Sequence, residues 1–350
     1  MKVCLTGGGT GGSVTPLLAL QQEIKKREPA AEFLFIGGKT GPEAAMVKSA
    51  KIIYKSIDAG KLRRYFSLQN FADIIKTTQG YFQARTLLKQ FDPQVILSAG
   101  SYIAVPVTIA GRELGIKSFI HQLDYKKGLA NKLMAPFANR VTVGFRKSLR
   151  DFSREKTIVT GNPVRPEILQ GNREEGIHKF KLDKNIPTIL IIGGGTGAVE
   201  LNKLVSSALP NLIKHCQIIQ VTGSGKKIKD KNPRFHCFEF LHEDLKDAYA
   251  VADLVISRAG MGVLSELAVL GLPSIIIPYP KSHQVDNAKM FEDAALVFQQ
   301  GGLNPQKLYA VVKELITNKD KLAWLSKNIK EVLPKRANQR IVDLIFEELK

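Results

Sequence analysis

The sequence has few cysteines and no long hydrophobic run. Its three cysteines, Cys4, Cys216 and Cys237, lie far apart and form no CxxC pair, which argues against a zinc site or a disulfide framework. The longest apolar stretches are well below the roughly 18 residues of a membrane span. The opening MKVCLTGGGTGG contains no signal-peptide core. We therefore expect a protein of a reducing compartment that is neither exported nor membrane-spanning.

Acidic residues are scarce relative to basic ones. The chain has 51 lysines and arginines against 32 aspartates and glutamates, a net charge of +19. Such a surplus attracts nucleic acid, acidic lipid headgroups or diphosphate-linked substrates, although solubility alone can also explain it. No helix-turn-helix, zinc or aromatic-interleaved module accompanies the charge, so we expect no nucleic-acid partner.

Strand-like apolar runs alternate with helix-length amphipathic segments along the whole chain, which predicts βαβ units and parallel sheets. Because 350 residues exceed what one hydrophobic core usually organises, we expect two domains. Predicted strands are residues 2–6, 32–37, 95–98, 118–121 and 140–143 in the first half, and 188–192, 217–222, a short strand near 236, 254–257 and 274–277 in the second.

Both halves open with a strand followed by a glycine loop, LTGGGTGG and IIGGGTGA. We predict an α/β protein with two Rossmann-like, doubly wound parallel-sheet domains that face a central cleft, where ligands bind at the carboxyl ends of the strands. A turn-forming Asn162-Pro163 marks the boundary, which gives domains at 1–162 and 163–334 and a terminal helix at 335–350. The charged, strandless residues 171–184 are a linker candidate.

The glycine loop at residues 7–13 stands between a strand and a helix that starts near Pro16. Its backbone N–H groups can approach a phosphate, and the helix N-terminus favours an anion. Tight turns alone also need glycine, which is the alternative. The loop lacks the Lys-Ser/Thr ending of a P-loop. Since no acid follows the second strand, a nicotinamide cofactor is disfavoured, and we expect no cofactor.

The second half contains SRAGMGVLSELAVLGLPSIIIPYPKSHQVDNA, which combines parts that a sugar nucleotide needs. A carboxylate such as Glu266 can accept both ribose hydroxyls, loop N–H groups can hold a diphosphate, and amide side chains can bind sugar hydroxyls. The alternative for Glu266 is an ordinary acid in the first turn of a helix.

From end to end the chain resembles the family 28 glycosyltransferases of peptidoglycan synthesis, which have the GT-B fold. The motifs that carry the resemblance are GGTGGS, HQLD at 121–124, GNPVR at 161–165, GGGTGA at 193–198, RAGMGVLSELAVLG and HQVDNA. Such enzymes transfer N-acetylglucosamine from UDP-GlcNAc to the C4 hydroxyl of a muramoyl-pentapeptide on undecaprenyl diphosphate, with inversion and without a metal. The resemblance implies a donor site in the second domain, an acceptor site in the first, a terminal helix that returns to the first domain, and a peripheral location at the cytoplasmic face of the bacterial membrane.

The resemblance also implies roles for single residues. The donor diphosphate would contact Arg165, Gly194, Gly195, Thr196 and Gly197, the ribose Glu266, and the sugar or its phosphates His283, Gln284 and Asn287, with Arg258 and Met261 in the same site. The acceptor diphosphate would lie at residues 9–13, including Thr10, Gly11, Gly12 and Ser13, and the reacting hydroxyl beside His121 and Asp124.

The chain departs from the family pattern at three places. Ser13 occupies the position of a family histidine that is a candidate for helping to deprotonate the acceptor, which serine cannot do at neutral pH. Ala104 and Val107 replace glycines of a second loop. The usual HEQN is HQLD, and Asp124 is our predicted general base, because an inverting displacement needs a group that takes the hydroxyl proton. A helix-capping or salt-bridged Asp124 is the alternative.

Residues 61–91 mix basic with apolar side chains. We expect a helix that meets an anionic membrane surface through Tyr65 and Phe66, while packing on the sheet explains most other apolar positions. Two other functions stay open. One is a UDP-sugar transferase with another lipid acceptor, and the other is a catalytically silent UDP-sugar-binding relative, which Ser13 would suit.

Overall fold

The computed structural model describes residues 1–60, 69–193, 198–228 and 230–350, with only the backbone of residues 69–72. The described chain forms two compact units. Unit 1 comprises Met1–Arg165 and Pro334–Lys350, and unit 2 comprises Pro166–Leu333. Each unit is a parallel sheet covered by helices, as expected for a pair of α/β domains.

Unit 1 contains a seven-stranded sheet in the order β3-β2-β1-β4-β5-β6-β7. Its central strands are buried on both faces because helices cover both sides, which explains their continuous apolar runs. The strands are β1 (Lys2–Thr6), β2 (Glu32–Gly38), β3 (Ile53–Ile57), β4 (Val95–Ser98), β5 (Lys117–Gln122), β6 (Arg140–Val143) and β7 (Thr157–Val159). The helices are α1 (Thr15–Arg27), α2 (Glu43–Ser49), α3 (Gln69–Phe91), α4 (Ala104–Glu113) and α5 (Leu129–Met134).

Unit 2 contains a six-stranded sheet in the order β10-β9-β8-β11-β12-β13. Its strands are β8 (Thr188–Ile192), β9 (Gln217–Val221), β10 (Phe235–Phe238), β11 (Leu254–Ser257), β12 (Ser274–Ile276) and β13 (Leu296–Val297). Its helices are α6 (Arg173–Lys179), α7 (Val199–Leu212), α8 (Leu245–Val251), α9 (Met261–Leu270), α10 (His283–Lys289), α11 (Pro305–Thr317) and α12 (Lys319–Ile329). The final helix, α13 (Ala337–Glu348), belongs to unit 1 and packs on α1.

In both sheets the strand order reverses once, between β1 and β4 in unit 1 and between β8 and β11 in unit 2. In open α/β sheets the loops that follow such a pair of strands form the ligand site. The loop after β1 is the first glycine loop, and the loop after β11 carries Arg258. The topology therefore brings the sequence motifs to the ligand-binding ends of both sheets.

The prediction that residues 171–184 form a linker is wrong. This segment contains α6, which begins at an N-cap, Asn172, whose side chain accepts hydrogen bonds from the backbone N–H groups of Glu174 and Glu175. The helix packs against α8 inside unit 2. The segment has the charged composition of a linker because one face of the helix is exposed. The helix contacts α8 through Gly176.

Candidate functional site

In unit 2 the end of β11 is anchored by a buried arginine. Arg258 is 4% exposed, and its Nη1 donates to the carbonyl oxygens of Ile277 and Pro278, at 3.1 and 3.4 Å, just beyond β12. Among the described residues its buried Nε has no hydrogen-bond partner. Burial lowers the pKa of the guanidinium, which nevertheless stays charged in proteins. An arginine held in this way at a strand end is suited to binding an anion.

The polar residues of α10 lie at the same end of the sheet. Asn287 is fully buried, and its Nδ2 donates to the carbonyl of Ala259 at 3.2 Å, which ties α10 to the loop after β11. Gln284 accepts a hydrogen bond from the backbone N–H of Tyr279 at 3.0 Å. His283, the first residue of α10, is exposed. The structure thus brings Arg258, Gln284 and Asn287 to the two adjacent loops that follow β11 and β12.

Glu266 lies in the second turn of α9, which begins at Met261. The alternative that Glu266 is a first-turn acid is therefore wrong. The carboxylate is 3% exposed, and its Oε2 accepts a hydrogen bond of 2.8 Å from the hydroxyl of Tyr249, a residue of α8 that is 1% exposed. Met261 is also buried. A carboxylate that is buried beside apolar side chains needs such a donor.

Two parts of the predicted donor site lie outside the described part of unit 2. Gly194, Gly195, Thr196 and Gly197 lie outside the described residues. Arg165 ends the first segment of unit 1, directly after Val164. The backbone N–H and carbonyl of Val164 both bond the side-chain amide of Asn338, at 3.1 and 2.9 Å. These two bonds fix the backbone from which the Arg165 side chain extends.

In unit 1 the first glycine loop is held by two side chains. The backbone N–H of Gly9 donates to Oε2 of Glu43 at 3.1 Å, and Oε1 of the same fully buried carboxylate accepts from Gly38 at 3.2 Å. Ser13 Oγ accepts from the N–H of Gly8 and donates to its carbonyl, both at 3.1 Å. Gly8 and Gly9 also have positive φ angles of 142° and 79°, so conformation alone requires glycine there. A phosphate at this loop would therefore meet residues 10–13, before α1.

The positions where the chain departs from the family's second glycine loop are structural. Ala104 and Val107 are fully buried in α4, where they pack in the core of unit 1.

In the loop that precedes α4, Gly100 and Ser101 have φ angles of 91° and 92°. A serine in this region is strained, and such strain is common where a loop serves a ligand site.

His121, at the end of β5, is 2% exposed and both its ring nitrogens have partners. Nδ1 lies 2.9 Å from Thr142 Oγ1, and Nε2 lies 3.1 Å from Asn162 Oδ1. Asn162 Nδ2 in turn donates to the carbonyl of Leu123 at 3.2 Å. Burial lowers the pKa of His121 to about 4. The imidazole is therefore neutral at pH 7 and connects β6 to the loop that precedes Asp124.

Asp124 lies in a loop that Gln122 organises. Gln122 Nε2 donates to the carbonyls of Asp124 and Lys126 at 2.8 and 2.9 Å, and its Oε1 accepts from Asn131 at 2.8 Å. The Asp124 side chain is half-buried. The capping alternative is wrong, because the N-cap of α5 is Gly128. Within the described residues no three His, Cys, Asp or Glu side chains lie close enough to hold a metal ion.

Comparison with known proteins identifies the family. Residues 3–143 match the glycosyltransferase family 28 N-terminal domain, and residues 188–341 match the corresponding C-terminal domain. A UDP-N-acetylglucosamine–N-acetylmuramyl-(pentapeptide) pyrophosphoryl-undecaprenol N-acetylglucosamine transferase of Lachnoclostridium phytofermentans is 36% identical, over 99% of this chain and 98% of its own length. The chain belongs to glycosyltransferase family 28. The protein of the same name from Clostridium botulinum (strain Alaska E43) is 39% identical, over 99% of this chain and 96% of its own.

Solved structures place this family 28 chain in the GT-B class. MurG from Acinetobacter baumannii has a TM-score of 0.76 and 26% identity, with 99% of both chains covered. A UDP-GlcNAc 2-epimerase from Neisseria meningitidis has a TM-score of 0.69 at 14% identity, with 99% of this chain and 100% of that chain covered. At that identity the epimerase shares the fold alone.

Sequence reasoning missed two side chains of this family 28 member. Glu43 stands in GPEAA and Tyr249 in DAYAV, and neither segment matches a motif used above. Their partners, Gly9 and Glu266, are distant in sequence. A tyrosine in an amphipathic helix also looks like an ordinary core residue. Only the folded chain reveals these contacts.

Proposed function

We propose that this protein transfers N-acetylglucosamine from UDP-GlcNAc to the C4 hydroxyl of the muramoyl-pentapeptide on undecaprenyl diphosphate, with inversion and without a metal. The observation that carries the proposal is the similarity, over almost the full length of both chains, to transferases named for this donor and acceptor. The family membership and the two sets of polar residues at the switch points of the sheets support it.

The donor binds unit 2 in this proposal. Arg258, whose Nε has no partner among the described residues, and Arg165 neutralise the diphosphate, and residues 194–197 contact it. Glu266 accepts the ribose hydroxyls. Gln284 and Asn287 contact the sugar, and the exposed His283 at the start of α10 contacts a phosphate. Such a site promotes glycosyl transfer mainly by neutralising the charge of the leaving diphosphate.

The acceptor binds unit 1, with its diphosphate at residues 10–13. Asp124 is the general base and takes the proton of the C4 hydroxyl as that oxygen attacks the anomeric carbon and UDP leaves. His121 positions the base, since both of its nitrogens are occupied and its depressed pKa keeps it neutral. Ser13 holds the loop through Gly8, and this contact gives the serine a role that needs no proton transfer.

The lipid-linked acceptor requires contact with a membrane, and α3 offers a surface for it. Ile74, Ile75 and Phe82 are 52%, 61% and 61% exposed on this helix, so packing on the sheet does not explain them. Tyr65 and Phe66, the residues first expected to meet lipid, lie outside the described residues. None of the described helices has the length and apolarity needed to span a membrane. We propose a peripheral location at the cytoplasmic face of the cell membrane.

A basic surface lies on the same layer of helices, since α3 packs on α4 and α4 on α5. Beside α5 a cavity of about 490 Å³ is lined by Lys132, Arg150 and Lys156 among other residues. Leu133 and Phe137 are exposed in the same segment. Cations that flank exposed apolar side chains are typical of binding to anionic lipid.

The test is transfer of labelled N-acetylglucosamine from UDP-GlcNAc to a short-chain lipid I analogue, with EDTA present. We expect turnover by the purified protein and, for Asp124→Asn, a loss of about 100-fold or more in kcat with little change in UDP-GlcNAc binding. Unchanged turnover by Asp124→Asn would exclude Asp124 as the base. UDP-GlcNAc binding without transfer would instead indicate another acceptor or a silent relative.

A further inference from the structure

We propose that Tyr249 positions the carboxylate that recognises the nucleotide ribose, and so contributes to ribose selectivity without touching the ligand. The proposal rests on the proposed function, which assigns the ribose to Glu266. Tyr249 lies on α8, outside all the motifs of the donor site, and its hydroxyl donates to Glu266 Oε2 at 2.8 Å.

Glu266 is buried beside apolar side chains, so its carboxylate depends on hydrogen-bond donors. On α9 the neighbouring Leu264, Leu267 and Ala268 are buried and apolar. A buried carboxylate without hydrogen-bond donors is costly, and one that can rotate loses directional contacts with a ligand. The Tyr249 hydroxyl supplies a charge-assisted hydrogen bond, the stronger kind. It helps to orient the carboxylate before a ribose arrives.

The helix that carries Tyr249, α8, is anchored to α6. Asp247, on the same helix, is fully buried and bonds Lys179 of α6 at 2.5 Å and the backbone N–H of Asn172 at 3.1 Å. Arg173 donates to the carbonyl of Val251 at 3.0 Å. The segment that looks like a linker in the sequence therefore fixes α8, and α8 fixes the tyrosine.

Two vicinal ribose hydroxyls can each donate to one carboxylate, so the benefit of a fixed carboxylate depends on those hydroxyls. A ligand without them gains nothing from Tyr249. The expected signature of Tyr249→Phe is thus a loss of affinity for UDP that is absent for 2′,3′-dideoxy-UDP. One hydrogen bond to a charged group corresponds to a loss of about tenfold.

Calorimetry on the full chain tests this with four proteins: wild type, Tyr249→Phe, Glu266→Gln and the double variant. We expect wild type to prefer UDP over the dideoxy ligand, Tyr249→Phe to lose about tenfold in this preference, and Tyr249→Phe to add nothing in the Glu266→Gln background. Tyr309→Phe is the matched control, since it removes another unit 2 hydroxyl, which bonds His215 at 3.0 Å, and should keep the preference.

The other outcomes separate the possible failures. If wild type binds no UDP, the proposed function fails and the inference with it. If wild type binds both ligands equally, donor binding stands and the role of Glu266, and hence that of Tyr249, is overturned. If Tyr249→Phe weakens both ligands equally, or neither, Tyr249 is only a structural residue. Thermal unfolding of each variant shows whether it is folded.

Discussion

Folding changes the protonation of His121. Burial lowers its pKa to about 4, against about 6.5 in an unfolded chain. As the pH falls through 6.5 the unfolded state binds a proton that the folded state does not, so stability is complete above pH 6.5 and declines toward pH 4. The loss at pH 4 is at most about 3 kcal/mol.

His121→Asn should be less stable than wild type at pH 7. At pH 4 the difference between their free energies of unfolding should be smaller by most of the ~3 kcal/mol that wild type loses. Urea unfolding followed at both pH values gives the difference, in which contributions from all other groups cancel. His178→Asn is the control, because His178 is exposed. This variant should lose as much unfolding free energy between pH 7 and pH 4 as wild type does. If wild type and His121→Asn lost equal amounts of unfolding free energy between pH 7 and pH 4, the imidazole would not be neutral and buried.

Residues of the candidate site differ in how far the sequence reveals them. Arg258, Glu266 and Asn287 follow from one continuous motif, because the loop after a central strand must face the ligand end of the sheet. The contacts of Glu43 and Tyr249 join segments 34 and 17 residues apart, and no local pattern encodes them. Burial of His121 is equally invisible in HQLD, since its partners Thr142 and Asn162 come from elsewhere.

At the scale of elements, the surroundings of two glycines, one in α6 and one in α9, predict opposite effects of a Gly→Ala substitution. A Cβ at Gly176 would lie 2.6 Å from Val251 Cγ1 and 2.9 Å from the backbone oxygen of Asp247. Gly176→Ala should therefore destabilise unit 2 by about 1–3 kcal/mol. At Gly262 in α9 nothing lies within 4 Å of a Cβ, so Gly262→Ala should stabilise by up to about 1 kcal/mol. Thermal unfolding decides, and a Gly176→Ala variant as stable as wild type would show that α6 packs loosely.

The strands show which elements a sequence can predict. Strands β1, β4, β6, β8 and β11 have the predicted bounds, because buried parallel strands are continuous apolar runs between glycine or polar loops. The missed strands β3, β7 and β13 all lie at sheet edges. Edge strands are partly exposed, so β3 reads IYKSI with three exposed residues. Their pairing is decided by the neighbouring strand rather than by their own pattern.

At the scale of the whole molecule, the proposed membrane contact would use both the net charge of +19 and the exposed apolar side chains of α3. Electrostatic attraction brings a basic protein to an anionic bilayer, and apolar side chains then enter the interface. The two contributions respond differently to salt, because screening weakens only the first. A protein that used charge alone would leave the vesicles in high salt.

Flotation with phosphatidylglycerol-containing vesicles separates the contributions. Wild type should float with anionic vesicles and much less with neutral ones. The double variant Ile75→Gln/Phe82→Gln should bind about thirtyfold less, since each side chain contributes about 1 kcal/mol when partly inserted. Trp324→Gln removes a side chain of unit 2 that is 53% exposed and should bind like wild type. Equal losses in both variants would mean that α3 is no membrane surface, and no flotation of wild type with anionic vesicles would exclude membrane binding through this charge.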